Sequence, residues 1–523
     1  MSATGTLLMT DTEVRLHADQ FSASLPAHGA VGSGKLLWRN DILSAPHVDL
    51  LLTDRDGGTL AATGTIADVT AMAGIALQVS SDGSRLSHLA DSASRASDLP
   101  DSARGWVLSG SAQILNPGML TLLRDADLTL QLNDGVALTA RGDGRVDPNG
   151  AEADLELELL ASSPDALRET YALPVSPNTA KGRLRLRPSY ATLLAQVQLP
   201  ESTLQATVTA TLKDAALERL DADIYTPHLA IADLLADDET DDDPEPFSLA
   251  GMGDLLPPFP TSLSLRADRL TGLMSELNHV HIATELRDQR ILLRKFDAGY
   301  DGGELLLRGV ADLNLTPPAL SFAGRGIRVP LGTLTRDFEL QQTVDGAVSL
   351  RTGLSTRGNT VGEWQQQLGG SLALALNDTT VSGAAYDLLM SNLLAWLVKG
   401  AGEKTSTFDC TMARFDFAAG VGRSDSLYLE TPRMLATGKG TIDLTAGTLD
   451  LRLEPRSKTR TFQFPSAVRI RGELSDPRVS VSPLQTTADL SAQALLLLPS
   501  LALKLFGLQG LDEQLQPCAV PEP

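Results

Sequence analysis

Aromatic side chains make up only 4% of the 523 residues and cysteines number two, so neither an aromatic-rich core nor a disulfide framework organises this chain. Cys410 and Cys518 are too few for a cysteine-rich metal site, and they are equally compatible with one bridge and with two separate thiols. Positive charge is also short: the formal net charge of -22 opposes binding to a phosphate backbone and adsorption to anionic headgroups. Nucleic acid is thereby excluded as a partner, and any membrane contact has to be apolar.

Motifs that carry chemistry are missing as well. No G-x-S-x-G elbow presents a serine nucleophile. The seven histidines are scattered; His279 and His281 share a strand face with Glu285, yet no third histidine or cysteine stands near enough to complete a metal site. Gly29 to Leu36 approaches the phosphate-binding loop, with Gly29, Gly34 and Lys35 correctly spaced, but Leu36 stands where a hydroxyl should hold Mg²⁺. A glycine turn flanking a strand is the expectation there. No catalytic, metal-binding or cofactor-binding residue is assigned, and the protein is expected not to be an enzyme. Met1 to Gln20 lacks the apolar core of a signal peptide, and Leu495 to Phe506, interrupted by Pro499 and Lys504, is short for a membrane span.

What the chain does have is alternation. Hydrophobic residues amount to 42%, and they recur with period two, which places them on one face of a strand. Leu128, Leu130 and Leu132 alternate with Asp127, Thr129 and Gln131; Leu155, Leu157 and Leu159 alternate with Asp154, Glu156 and Glu158. In the carboxyl half Leu305, Leu307, Ala311, Leu313 and Leu315 stand opposite Arg308, Asp312 and Asn314, and Leu372, Leu374 and Leu376, then Leu449, Leu451 and Leu453, continue the pattern. Turn signals at Asn133-Asp134-Gly135, Asp143-Gly144, Asp147-Pro148-Asn149-Gly150, Asp301-Gly302-Gly303 and Asp345-Gly346 reverse the chain between strands, so neighbours are expected to be antiparallel.

The strands recur in units. Ala61 to Leu89, Leu138 to Leu167, Leu204 to Leu234 and Leu306 to Leu334 each read as strand, turn, strand and a short helix-like tail. One break interrupts them: Asp237 to Pro246 is acidic, lacks the spacing and closing Glu of a calcium loop, and reads as a solvated linker. The expected organisation is a repetitive β region over 1–235, a linker over 236–260, a second β region over 261–485, and an apolar helix and tail over 486–523. Ala384 to Val398 and Ala488 to Phe506 read as helices that cap or plug the ends of a sheet.

The stretch Val344 to Leu388, with Gly346, Gly353, Gly358, Leu368-Gly369-Gly370 and Gly383, resembles the AsmA family of bacterial envelope proteins. The likeness continues through Gly420-Val421, Gly438 to Leu444, Pro455, and Ile470 to Leu474 with Pro477, and it extends upstream to Asp301-Gly302-Gly303, Gly309 and Leu331 to Leu334. It is specific from about residue 260 onward and looser before. The resemblance implies an all-β, mainly antiparallel fold: an elongated repetitive sheet curled into an open groove, with a few short helices capping its ends. It further implies a periplasmic, inner-membrane-associated protein that takes part in phospholipid transfer and outer-membrane biogenesis, with phospholipid acyl chains and envelope proteins as partners. The amino-terminal membrane helix of that family has no counterpart in this sequence. Under this reading Leu305, Leu307, Leu313, Leu315, Leu372, Leu374, Leu376, Leu449, Leu451 and Leu453 are the candidate lipid-facing strand positions. A closed β-sandwich or solenoid scaffold that binds protein partners needs the same alternation and is the alternative.

Overall fold

The computed structural model describes residues 2–9, 13–24, 28–88, 105–132, 135–162 with 164, 175–213, 216–234, 248–272, 275–337, 343–382, 405–432, 434–458, 466–474 and 477–483. They belong to two compact units, Met1–Asp237 and Asp238–Pro523. The segments Ala384–Val398 and Ala488–Phe506 and the acidic run Asp237–Pro246, singled out above, lie outside the described residues.

In the first unit fourteen strands, β1 (Ser2–Met9) to β14 (Ala216–Ala230), each pair antiparallel with the next in sequence. The second unit repeats the arrangement from β15 (Thr261–Thr271) to β27 (Pro477–Pro483). Among the described residues no pairing joins the last strand of either unit to its first. Both sheets are therefore open, with the all-β antiparallel character that the alternation implies. Short helices Met252–Leu255, Leu331–Asp337 and Val361–Gln367 accompany the second unit.

Period-two alternation becomes two chemically distinct faces once the register is set. Between β9 (Val136–Asp147) and β10 (Gly150–Ala161), Leu155, Leu157 and Leu159 face Gly142, Ala140 and Leu138, while Glu156 faces Arg141. On the wet face ion pairs cross the strands, Asp127 to Arg141 at 3.1 Å, Asp154 to Arg183 at 2.7 Å and Glu158 to Lys181 at 2.8 Å. Solvated pairs of this kind add little to stability, so their main effect is to penalise a register slip that would bury them.

The turn between β17 (Arg290–Tyr300) and β18 (Gly303–Asp312) holds Asp301 and Gly302 at φ of 45° and 84°, the two positive values that a tight hairpin of the native twist requires. Two other Asp-Gly signals do something else. Asp143-Gly144 lies inside β9, where the Asp143 carboxylate accepts from the Asp125 N–H at 3.0 Å and from Arg124 at 3.1 Å, holding a bulge in the neighbouring β8 (Thr121–Gln131). Asp345-Gly346 lies inside β20 (Thr343–Arg357), where Gly346, at φ of 131°, stands opposite a bulge in the next strand formed by Asp378, at φ of 48°, and Thr379. The glycines of Gly29 to Leu36 do not flank a strand but stand within β3 (His28–Arg39), where Gly34 faces Ala18 and Val48.

The four repeated segments share a fastening. In each, the element that follows the second strand returns to the hairpin turn preceding the first. Buried Asp54, in the turn after β4 (Ile42–Asp54), accepts the N–H groups of Asp56, Gly58 and Arg85 at 2.9, 2.7 and 3.3 Å, and a helical turn with His88 follows. Further along, the Ser162 hydroxyl donates to the Gly135 carbonyl at 2.9 Å, the Asp233 carboxylate accepts the Glu201 N–H at 3.2 Å, and the Thr333 hydroxyl donates to Asp301. These residue pairs are 31, 27, 32 and 32 positions apart, so one supersecondary unit recurs with its tail at the same end of the strands.

The far part of the expected linker is folded on the second unit. Leu249 is buried, its N–H donates to the Asn359 carbonyl at 3.0 Å, and Ser248 bridges Thr360. Thr360 also caps helix Val361–Gln367, accepting the Glu363 N–H, while the Glu363 carboxylate reaches back to the Asn359 N–H at 2.6 Å.

Candidate functional site

In antiparallel sheets directly opposed residues share a face, so cross-strand rows can be followed from the register alone. One row of the second unit runs Leu305, Gly326, Leu350, Leu374, Ala413, Leu427, Gly438, Leu453, Val468, Val481 across ten consecutive strands. Beside it runs Leu265, Ile282, Phe296, Leu307, Gly324, Thr352, Leu372, Phe415, and after a bulge Gly440, Leu451, Ile470, Val479. A third row includes Leu293, Gly309, Phe322, Leu354, Gly370, Phe417, Gly422, Ile442 and Leu449. No charged residue interrupts any of the three.

Large side chains in these rows lie over small ones. A Cβ added at Gly438 would come within 2.7 Å of the Leu453 side chain, one at Gly440 within 2.4 Å of Leu451, and one at Gly422 within 2.5 Å of the Phe417 ring. Parts of the face are covered: Tyr300, Val329 and Val348 form a buried cluster against Leu331 and Leu334 of helix Leu331–Asp337. A second cluster of Ala413, Phe415 and Leu427 gathers Phe417, Ile442, Leu451 and Leu453. Elsewhere the face meets solvent, with Leu263 and Leu307 at 38% and 36% exposure.

The reverse face is charged. Arg308 lies opposite Ala323, Asp416 opposite Arg423, and Asp450 opposite Arg471. Asp450 accepts from Arg469 at 2.7 and 2.6 Å and from Arg471 at 2.8 Å, and those hydrogen bonds hold its carboxyl well below the usual carboxylate range. Two hollows, of about 510 and 770 Å³, open over β17 to β20, lined largely by this polar side, with Leu292, Val310 and Ser321 common to both. Of the arginines lining them, Arg294 pairs with Glu285 at 2.7 Å and Arg290 with Asp312 at 2.8 Å. At the end of β17, Tyr300 donates to Asp337, which also accepts from the Ser275 N–H at 2.9 Å and hydroxyl at 2.8 Å. Burial and then the Asp337 carboxylate push the Tyr300 phenol up; for Asp337 burial is outweighed by the bonds from Tyr300 and Ser275, which leave it below the ordinary value.

Eight of the ten candidate leucines, Leu305, Leu307, Leu372, Leu374, Leu376, Leu449, Leu451 and Leu453, stand on strands with side chains on the apolar face; Leu376 lies opposite Val348, next to Leu374. Leu313 and Leu315 do not. β18 ends at Asp312, and both leucines lie in the turn to β19 (Ala319–Pro330), with Leu315 lining the larger hollow on the polar side. The cause is the next proline pair: Pro317 and Pro318 cannot donate to a ladder, so the alternation outlasts the strand. Unread in the sequence were the aromatics of the same face, Phe296, Phe322, Phe415 and Phe417, and the run Val348, Leu350, Leu354; the signal was the same parity, seen only when strands are aligned. His279 sits in a bulge at φ of 51°, so the strand parity that would have placed it beside His281 is broken, and His281 instead meets Lys295 at 3.2 Å. Among the described residues no group of His, Cys, Asp and Glu side chains is arranged to hold a metal ion, and no helix is long and apolar enough to cross a membrane.

The model of the AsmA family matches residues 233–427. The AsmA family protein YhjG of Escherichia coli K12 is 28% identical over 232 residues, which take in 43% of this chain and 33% of that protein. The chain thus aligns with about a third of the length of the curated relative. With the glycine-punctuated strands from Asp301 to Leu474 carrying the same likeness, the chain is similar to the AsmA family through its carboxyl-side unit.

Proposed function

We propose that the protein is a non-enzymatic envelope protein that carries phospholipid acyl chains along the apolar face of its open sheet, contributing to lipid transfer between inner and outer membrane and to outer-membrane biogenesis. The observation that carries this reading is the uncharged row from Leu305 to Val481 across ten strands. At about 4.8 Å between strands it extends roughly 43 Å, more than one hydrocarbon leaflet. Each methylene withdrawn from water onto such a surface gains about 0.8 kcal/mol, so a chain can move from row to row without any single residue forming a pocket. The headgroup stays in water at the rim while the reverse face, with its ion pairs, keeps the sheet soluble. Periplasmic, inner-membrane-associated placement is part of this proposal and rests on the family.

The test is mass spectrometry of lipids that accompany the purified protein, compared with Leu307→Asp and Leu263→Asp, two half-exposed positions where a carboxylate does not have to be buried for the sheet to fold. Co-purified phospholipid that falls several-fold in both variants is the expected result. Lipid-free protein, with neither substitution having an effect, sinks the lipid reading and favours a scaffold that binds proteins.

A further inference from the structure

The hairpins of the first unit end in two different chemistries. Each strand from β1 to β14 runs antiparallel to the next, so the turns after odd-numbered strands all lie at one end of the strands. The turns after even-numbered strands, with the repeat tails, lie at the other. Six large apolar side chains stand in or within two residues of the odd-strand turns: Trp38 and Ile42 on either side of 40–41, Met72 in 69–72, Met119 in 117–120, Val146 before 148–149 and Tyr190 after 188–189. All six are exposed, from 45% for Tyr190 to 81% for Met119.

The other end contrasts with this. Its turn 55–58 carries Arg55 and Asp56, its turn 200–202 carries Glu201, and Leu199 beside that turn is buried. Exposed apolar residues near that end, Leu51 and Leu160, stand within β4 and β10 rather than on turns. In a chain of net charge -22, the residues of the odd-strand turns 40–41, 69–72, 117–120, 148–149 and 188–189 include one charged side chain, Asp41. Several of their backbone donors are satisfied locally. Asp68 accepts the Thr70 and Ala71 N–H groups at 2.9 Å, Asn116 accepts the Gly118 N–H at 2.9 Å, and Asp147 accepts the Asn149 N–H at 2.7 Å. A tip built this way can leave bulk water without stranding those N–H groups.

We propose that this row of hairpin tips docks the first unit on a bilayer surface, seating Trp38, Met72, Met119 and Tyr190 at the level of the headgroups. Consecutive tips are two strand spacings apart, about 10 Å, so the row from Trp38 to Tyr190 extends about 40 Å. The anchors of a protein interface gather around a buried centre. These are strung out singly along a row, which suits a fluid surface that demands no matching shape. Trp and Tyr carry the amphipathic rings that favour the membrane interface, and the scarcity of charge on the tips keeps the acidic remainder of the chain out of the contact. The docking needs no acyl chain on the sheet, so it goes beyond the carrying role above and does not depend on it.

The experiment is hydroxyl-radical footprinting of the full-length chain with and without phosphatidylcholine vesicles, with Leu234, exposed at the other end of the strands, as internal reference. At saturating vesicles, modification of Met72, Met119 and Tyr190 should fall at least about threefold while Leu234 is unchanged. A Met72→Asn, Met119→Asn, Tyr190→Asn variant, in which Asn tolerates the φ of 50° at position 72, should lose at least about threefold in vesicle affinity and keep its urea midpoint. Tips modified equally with and without vesicles overturn the proposal. So does protection that appears without vesicles as the protein is concentrated, which assigns the row to a second copy of the chain. If the variant unfolds, the wild-type footprint decides alone. Leu307→Asp protein at saturating vesicles should keep the tip protection; its loss there assigns the contact to the apolar rows of the second unit instead, so failure of the tips and failure of the lipid-carrying face are read apart.

Discussion

Asp337 ties three pieces of chain with one carboxylate: the Tyr300 hydroxyl at the end of β17, both donors of Ser275, and the end of helix Leu331–Asp337. Asp337→Asn keeps the shape but removes the charge and one acceptor oxygen, leaving the Tyr300 hydroxyl and the two Ser275 donors to share the single oxygen that remains. A loss of about 1–3 kcal/mol in urea unfolding is expected, with Tyr300→Phe costing less because it removes donor and need together. Acid sensitivity belongs at Asp450. Its folded carboxyl lies below the unfolded value of about 3.9, so the bonds from Arg469 and Arg471 stabilise the sheet fully above that pH, and the contribution is lost as the pH falls from there through the lower folded value. Asp450→Asn should therefore lower the urea midpoint at pH 7 and lower it by clearly less near pH 2, where the contribution is partly lost; an equal deficit at both pH values contradicts the assignment. Gly440→Ala forces the new methyl against Leu451 and the Asp450 carbonyl, at 2.4 and 2.8 Å, and should destabilise by about 1–3 kcal/mol. The apolar parity of Leu372 or Leu451 was readable in the sequence because it depends on local alternation. Asp337 was not, since its partners are 37 and 62 residues away and an exposed-looking acid at a helix end has no pattern.

Among elements, the repeated strand, turn, strand and tail was legible, and what joins the repeats was not. The tail of Leu306 to Leu334 returns to the hairpin through the Thr333 hydroxyl and Asp301, as Asp233 returns to Glu201 and Arg85 to Asp54. Three chemistries perform one task, a hydroxyl, a carboxylate and a backbone N–H, so no residue motif repeats although the geometry does. Helix Leu331–Asp337 is too short to persist on its own, and its order depends on this bond and on Leu331 and Leu334 packing under Val329. Thr333→Val should therefore speed amide exchange in 331–337 by about fivefold, corresponding to roughly 1 kcal/mol, while β18 and β19 exchange as before. Asp-Gly pairs show the converse ambiguity. At Asp301-Gly302 the pair makes a hairpin, whereas at Asp345-Gly346 the same two residues stay within β20, because the strand continues on both sides and Gly346 only makes room for the bulged Asp378 and Thr379 opposite it.

At the scale of the whole chain, charge and hydrophobicity act in opposite directions on a membrane. The net charge of -22 repels an anionic bilayer, while under the proposed function the uncharged rows between Leu305 and Val481 attract acyl chains regardless of headgroup. Repulsion acts across about 30 Å at 10 mM salt and about 8 Å at 150 mM, whereas apolar contact is hardly changed over that range. Flotation with vesicles of phosphatidylcholine should therefore be insensitive to salt, and flotation with vesicles containing phosphatidylglycerol should be weak at 10 mM and rise as salt is added. A basic docking patch would give the reverse order, strong binding to anionic vesicles that salt abolishes. Leu307→Asp separates the two forces: it should weaken binding to both vesicle types at high salt, where repulsion is screened and the apolar face alone decides the outcome. If the variant binds as well as wild type at 150 mM salt, the rows around Leu307 are not the membrane-active surface.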